Sequence, residues 1–177
     1  MNEAIFYFLN SFAGRSLWLD SFIAFVAVDF VFVFLALIFI DAVTRRNSWR
    51  EKRAHLAMVM TALVFSSIGW FLSVASKLIY THPRPFEALP NVRQLISESG
   101  NSFPSGHTTF LFTVAFVLFA FDRKLAWFGV IVGTLVGFAR VMAGVHWPFD
   151  IVGGVILAGV IAVVSSHLLR KISQYLS

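Results

Sequence analysis

Long apolar runs alternate with short polar clusters along this chain. Trp18 to Ile40, His55 to Ile79, Ser105 to Phe121, Leu125 to Val145 and Phe149 to Leu169 each approach the roughly 20 residues with which a helix crosses a hydrocarbon core of about 30 Å. Ahead of them, Ile5, Phe8, Leu9 and Phe12 recur on one helical face. That spacing predicts either a helix lying in the membrane interface or an extension of the first span. The stretch Tyr80 to Pro104 holds Pro83, Pro85, Pro90 and Pro104 together with Gly100 and Asn101, so it reads as a loop and not as a further span. A loop of that length in a small protein is usually functional. The pattern predicts an all-α, polytopic transmembrane helix bundle of about five spanning helices plus an N-terminal interfacial helix, in one membrane-embedded domain over 1–177.

Composition agrees with the pattern. Of 177 residues, 58% are hydrophobic and 13% charged, which is not the make-up of a soluble globular domain. With no cysteine, disulfides, thiolate catalysis and cysteine metal sites are excluded. Glu3 precedes every positive charge, and Asn10 and Ser11 break the first apolar stretch, so the N-terminus reads as retained and not as a cleaved leader.

The formal charge of +5 raises the possibility of nucleic acid, but the basic residues flank apolar segments. Arg45, Arg46, Arg50, Lys52 and Arg53 sit in one connection, Arg123 and Lys124 in another, and Arg170 and Lys171 in the tail. These are nine of the fourteen Lys and Arg. By the positive-inside rule that face is cytoplasmic, and nucleic acid is not the expected partner. The long loop and the turn at His146 then face the extracytoplasmic side.

Ionisable side chains at membrane depth are costly, which makes them functional candidates. In an up-and-down bundle, Lys77, Arg84, His107, Arg140, His146 and Asp150 all fall at the outer boundary. Lys77, Arg84 and Arg140 supply charge-assisted donors, the arginines with a fork that matches phosphate. Pro104-Ser105-Gly106-His107 leads into an apolar helix, whose free N–H groups also favour an anion, with Gly106 allowing close approach. Asp150 lies four residues after His146, a spacing that lets the carboxylate orient the imidazole and support the cation formed when its other nitrogen attacks. His146 is the candidate nucleophile and His107 the candidate general acid and base. The cations take the charge-neutralising part that a metal plays elsewhere, so neither metal nor cofactor is expected.

The three clusters resemble the signature of the type 2 phosphatidic acid phosphatase superfamily. Lys77 followed after six residues by Arg84-Pro85 is similar to its first part, Pro104-Ser105-Gly106-His107 to its second, and Arg140, His146 and Asp150 to its third. The third part usually opens Ser-Arg, whereas this chain has Ala139-Arg140, removing one hydroxyl. The resemblance implies metal-independent dephosphorylation of a lipid in the bilayer through a phosphohistidine. The His-Trp-Pro-x-Asp form at His146 and the Arg-Pro-Phe-Glu form at Arg84 look like bacterial undecaprenyl pyrophosphate phosphatases, which act on the outer side of the cell membrane and serve cell-wall synthesis. Relatives acting on phosphatidylglycerophosphate or phosphatidic acid carry the same motifs. A lipid-phosphate transporter, a vanadate-haloperoxidase relative and a metal hydrolase with His107, His146 and Asp150 as ligands are the competing classes.

Other polar residues read more plainly. Asp29, within the first span, is equally a functional group, as a polar partner in the bundle or a proton relay, or a plain residue near the outer boundary or bonded to a neighbouring helix. His82, Glu87 and Glu98 share the site's loop and read as solvated residues, with contact to a diphosphate or a cation as the alternative. His55 and His167 read as interfacial.

Overall fold

The computed structural model describes residues 1–44 and 48–176, with side chains through Lys171. Arg45 and Arg46 of the basic connection lie outside the described residues. The described chain is helical: α1 (Asn2–Asn10), α2 (Leu17–Val28), α3 (Phe30–Thr44), α4 (Trp49–Ile79), α5 (Pro85–Ala88), α6 (Gly106–Leu118), α7 (Arg123–Met142) and α8 (Pro148–Leu176). Polar caps start three of them. The Ser16 hydroxyl accepts from the Leu19 N–H, the Ser48 hydroxyl from the Glu51 N–H, each at 3.2 Å, and the Asp122 carboxylate from the Lys124 and Leu125 N–H groups at 2.9 and 3.1 Å. Each cap satisfies donors that the first helical turn leaves open.

Among the described residues, three helices are long and apolar enough to cross a membrane: α4, α7 and the Pro148–Lys171 part of α8. The expected span Trp18 to Ile40 is not continuous, because α2 and α3 meet at a 54° bend and count together as a possible fourth. Asp29 stands at the break. Its N–H bonds Phe25 O at 2.8 Å, while its own carbonyl takes Phe32 N–H at 2.9 Å. Aspartate is a weak helix former whose side chain competes for backbone groups.

The expected span Ser105 to Phe121 is also shorter than the pattern suggested. Helix α6 has 13 residues, about 20 Å at 1.5 Å per residue, less than a bilayer core. It is buried along most of its length and packs on α4, α7 and α8, so its apolar character comes from being the central helix. Its buried threonines bond backward, Thr109 Oγ1 to Ser105 O at 2.9 Å and Thr113 Oγ1 to Thr109 O at 2.7 Å, which lets hydroxyls lie inside without cost to the core.

Around α6, Phe34 and Ile38 of α3, Val59 and Ala62 of α4, Leu111 and Val114 of α6, and Val132 and Val136 of α7 form the main apolar core. Outward side chains such as Phe71, Ile131 and Val163 remain more than half exposed, as a surface facing lipid requires. Helix α1 is separate from the first span and packs on α7 and α8. It buries Phe6 and Asn10, and the Asn10 amide donates to Arg93 O at 2.8 Å and Met142 O at 2.9 Å while accepting from Arg93 N–H at 3.0 Å. Asn10 thus pins the long loop to the end of α7.

Gly154 allows α8 to lie directly on the start of α6. A Cβ there would stand 2.9 Å from the Ser105 carbonyl oxygen, a backbone atom that cannot swing aside. The same approach lets Ser105 N–H reach Asp150 O at 3.0 Å. Small residues at a helix crossing in membrane permit this proximity.

Candidate active site

The end of α4, the loop after it, the start of α6 and the turn between α7 and α8 meet at one end of the bundle. Arg84, in the loop, is buried at 2% exposure. Its Nε donates to Gly100 O at 2.9 Å, Nη1 to Val145 O at 2.8 Å, and Nη2 to Ser99 O and Glu98 Oε2 at 3.2 Å each. Its backbone N–H is held by Glu87 Oε2 at 2.9 Å. Arg84 therefore ties the loop to the α7–α8 turn as well as presenting a charge.

Arg140 rises from α7 at 1% exposure. Its Nη1 donates to Ala27 O at 3.2 Å, one of the last carbonyls of α2. The break at Asp29 leaves such carbonyls without helical partners, so the bend and the buried cation satisfy each other. Arg140 Nη2 bonds Glu98 Oε1, and its Nε has no partner. Ala139, where the related signature has serine, is buried in an apolar cluster with Ile23, Ala27 and Ala143, so its methyl packs on α2.

His146 and Asp150 sit on the turn formed by Gly144, whose φ of +80° places it in the left-handed region that suits glycine. His146 Nδ1 lies 3.2 Å from Asp150 Oδ2, which also accepts the Trp147 N–H at 2.8 Å. A carboxylate on Nδ1 favours the Nδ1–H tautomer and leaves Nε2 with its lone pair. Trp147 Nε1 donates to Pro83 O at 2.9 Å, fastening the turn to the loop.

Burial first, then the charges of Arg140, Arg84 and Lys77 and the ring of His107, hold the His146 imidazole well below its ordinary 6.5. All of these groups are therefore electrostatic neighbours of His146. Glu98 is pushed up by its burial, but Arg140, Arg84 and His107 outweigh this and hold it below the usual carboxylate range. The stability consequence has a definite sign. Below about pH 6.5 the unfolded chain takes up a proton at residue 146 that the native site refuses, so native stability falls as pH drops from 6.5 toward the depressed native value. Melting temperature in detergent is expected to decline through that window, and less steeply in His146→Gln. Equal slopes for the two proteins would contradict it.

Among the expected anion contacts, Ser105 stands at the N-cap of α6. Its N–H is engaged by Asp150 O, and its buried hydroxyl accepts from Thr108 Oγ1 at 3.0 Å. Gly106 does serve a close approach, but toward α4: a Cβ would meet Ser73 Oγ at 3.1 Å and Trp70 Cδ1 at 3.2 Å. Lys77 ends α4, and its carbonyl accepts from Asn101 Nδ2 at 2.7 Å.

Glu87 is exposed, as a solvated loop residue should be, but that reading does not describe His82 and Glu98, which are partly buried. Glu98 bridges the two arginines. His82 Nδ1 lies 2.8 Å from Ser102 Oγ and 3.7 Å from Asp150 Oδ1. The available signal was local: three acidic or imidazole side chains within a stretch already carrying the Arg-Pro motif, where buried guanidinium groups require counter-charges. At the opposite end of the bundle, His55 Nε2 meets Asp41 Oδ2 at 3.1 Å, and the ring is buried against its neighbours.

An apolar cavity of about 390 Å³ opens between α3, α4 and α6. Phe32, Leu35, Trp70, Phe71 and Phe110 contribute to its walls, and His107 is also part of the lining. A long apolar ligand in the bilayer would reach the polar cluster by that route.

Residues 54–174 match the model of the PAP2 superfamily. The chain is 32% identical over 162 residues to the undecaprenyl-diphosphatase BcrC of Bacillus subtilis, covering 91% of this chain and 80% of that one. It is 31% identical over 159 residues to the bacitracin transport permease protein BcrC of Bacillus licheniformis, covering 89% and 75% respectively. The crystal structure of Aquifex aeolicus LpxE superimposes with a TM-score of 0.69 at 26% identity over 94% of both chains. With the family match spanning most of its helices, the chain belongs to the PAP2 superfamily and is a membrane-embedded lipid phosphatase.

Proposed function

We propose that this protein hydrolyses undecaprenyl diphosphate to undecaprenyl phosphate and inorganic phosphate, through a phosphohistidine, at the extracytoplasmic face of the cell membrane. The observation that carries the reaction is the buried His146–Asp150 pair with Arg84, Arg140, Lys77 and His107 as its electrostatic neighbours. The similarity to an undecaprenyl-diphosphatase and the apolar cavity reaching His107 support a long-chain lipid substrate.

In this reading His146 Nε2 attacks the terminal phosphorus. A P–N bond forms as the P–O bond to the lipid phosphate breaks, and His107 gives its proton to the departing oxygen. His107 then takes a proton from water, whose oxygen attacks the phosphorus and breaks the P–N bond. Phosphate leaves and His146 is restored. Asp150 supports the imidazolium in between. Lys77, Arg84, Arg140 and the first N–H groups of α6 at Gly106 and His107 stabilise charge on the phosphoryl oxygens, with the Ser105 hydroxyl beside them.

The test is phosphate release in detergent from undecaprenyl diphosphate, phosphatidylglycerophosphate and phosphatidic acid, each with and without EDTA. The diphosphate is expected to give the highest kcat/KM, unchanged by chelator. A higher value for either glycerolipid would overturn the headgroup assignment, and loss of turnover with EDTA would overturn the metal-free chemistry. Sidedness has its own test, since the chain has no cysteine. A Gln94→Cys variant, on the exposed part of the loop, should react with a membrane-impermeant maleimide on intact cells. Labelling only after lysis would reverse the orientation.

A further inference from the structure

Asp150 is fully buried, and its two oxygens are treated unequally. Oδ2 meets His146 and the Trp147 N–H, whereas Oδ1 has no hydrogen-bond partner of standard geometry. An unsatisfied buried carboxylate oxygen is expensive, so what faces it matters. Two groups face the carboxylate on this side, the ring of His82, whose Nδ1 is 3.7 Å from Oδ1, and the Ser102 hydroxyl, which lies 2.8 Å from that nitrogen. The ring is also held in place. It stacks on Tyr80 at 5.9 Å between centroids and 17° between planes, and stands edge-on to Trp147 at 6.2 Å. Its backbone is fixed too, since the His82 carbonyl accepts from Ser102 N–H at 2.9 Å and the His82 N–H donates to Asn101 Oδ1 at 3.1 Å.

We infer that His82 is a positioning residue for the reaction, a second imidazole on the far side of Asp150 that keeps the carboxylate turned toward His146. The inference rests on the phosphohistidine reading above. No bond is made or broken at His82. Its polar edge, together with the Ser102 hydroxyl, gives Oδ1 a partner when His146 becomes a phosphorylated cation and Asp150 must stay ionised beside it. Without that partner Oδ2 keeps its contacts to His146 and the Trp147 N–H, but Oδ1 is left unsupported, the carboxylate plane is held less firmly, and the attacking nitrogen is aimed less well. The two histidines have distinct settings: His146 is at 1% side-chain exposure, whereas His82 is at 29% and borders a cavity of about 390 Å³ shared with Tyr80, Phe103, Phe149 and Asp150.

That cavity supplies the experiment. His82→Ala should lower kcat by about ten- to a hundred-fold, the range typical of groups that orient a reacting side chain, with KM little changed. Added imidazole should restore turnover, and thiophene, a ring of similar size without a basic nitrogen, should not. His82→Phe keeps the stacked ring and guards against a folding defect in the alanine variant, and it should show the same loss of kcat. Wild-type kcat in His82→Phe, or equal rescue by thiophene, would overturn the inference. His146→Ala is assayed alongside: turnover there would overturn the phosphohistidine reading, whereas an inert His146→Ala with an unaffected His82→Phe would remove only the role of His82.

Discussion

His146→Ala should lose phosphate release by about 10⁴-fold or more, the scale seen when a covalent nucleophile is removed and only binding and charge stabilisation persist. The ring is at 1% exposure, so its removal leaves a cavity beside Asp150 and the check must separate chemistry from folding. Helical circular dichroism and elution in detergent should match the parent while single-turnover release disappears. His107→Ala should lose less, about 10²- to 10⁴-fold, since it removes proton transfer and leaves the attacking nitrogen in place. An ordering in which His107→Ala is inert and His146→Ala turns over would reverse the two assignments.

Arg140 carries the second large effect. Its guanidinium holds Ala27 O on one side and Glu98 on the other, with Nε unpaired. Arg140→Ala should lower kcat/KM by about 10²- to 10³-fold, as expected for a donor aimed at developing charge. It should also destabilise the fold, by roughly 3 kcal/mol or less, because breaking a buried pair leaves a charge behind and Glu98 still reaches solvent. Arg140→Lys keeps the charge but not the fork, so it should recover stability more than rate. Glu98 stays paired with Arg84 in Arg140→Ala, so adding Glu98→Gln takes the counter-charge from a second buried guanidinium and should lower stability further without regaining activity. Wild-type kcat/KM in Arg140→Ala would remove Arg140 from the phosphate site.

The long spans were legible because their signal is length and hydropathy, properties that α4, α7 and α8 carry in their own residues. The break at Asp29 was not. A single polar residue in an apolar run is equally a boundary or a partner, and only the guanidinium of Arg140, more than a hundred positions away, gives the freed α2 carbonyls their reason. Helix α6 is shorter than its apolar run, and hydropathy does not show this because a helix surrounded by protein is as apolar as one surrounded by lipid. Asn10 appeared as an interruption, while in the fold it is the anchor between α1, the loop and α7.

Within the candidate site, Lys77, Arg84, His107, Arg140, His146 and Asp150 can be grouped from sequence because bundle topology alone brings those helix ends together. Hydropathy says nothing about which loop residues fold inward. Glu98 is drawn in by the two arginines, and His82 stands beside Asp150 of α8, contacts that hydropathy does not encode. Ala139 was visible as a departure from the related signature, and its burial against Ile23 and Ala27 gives the methyl a packing role that sequence alone does not contain.

Transient phosphorylation of the protein itself tests the account most directly. Enzyme mixed with substrate labelled at the terminal phosphate and quenched in alkali, where phosphoimidazoles survive, should carry label on the peptide containing His146, and the label should vanish on a chase with unlabelled substrate. Label on the peptide containing His107, or full single-turnover release with no labelled peptide at any time, would contradict it.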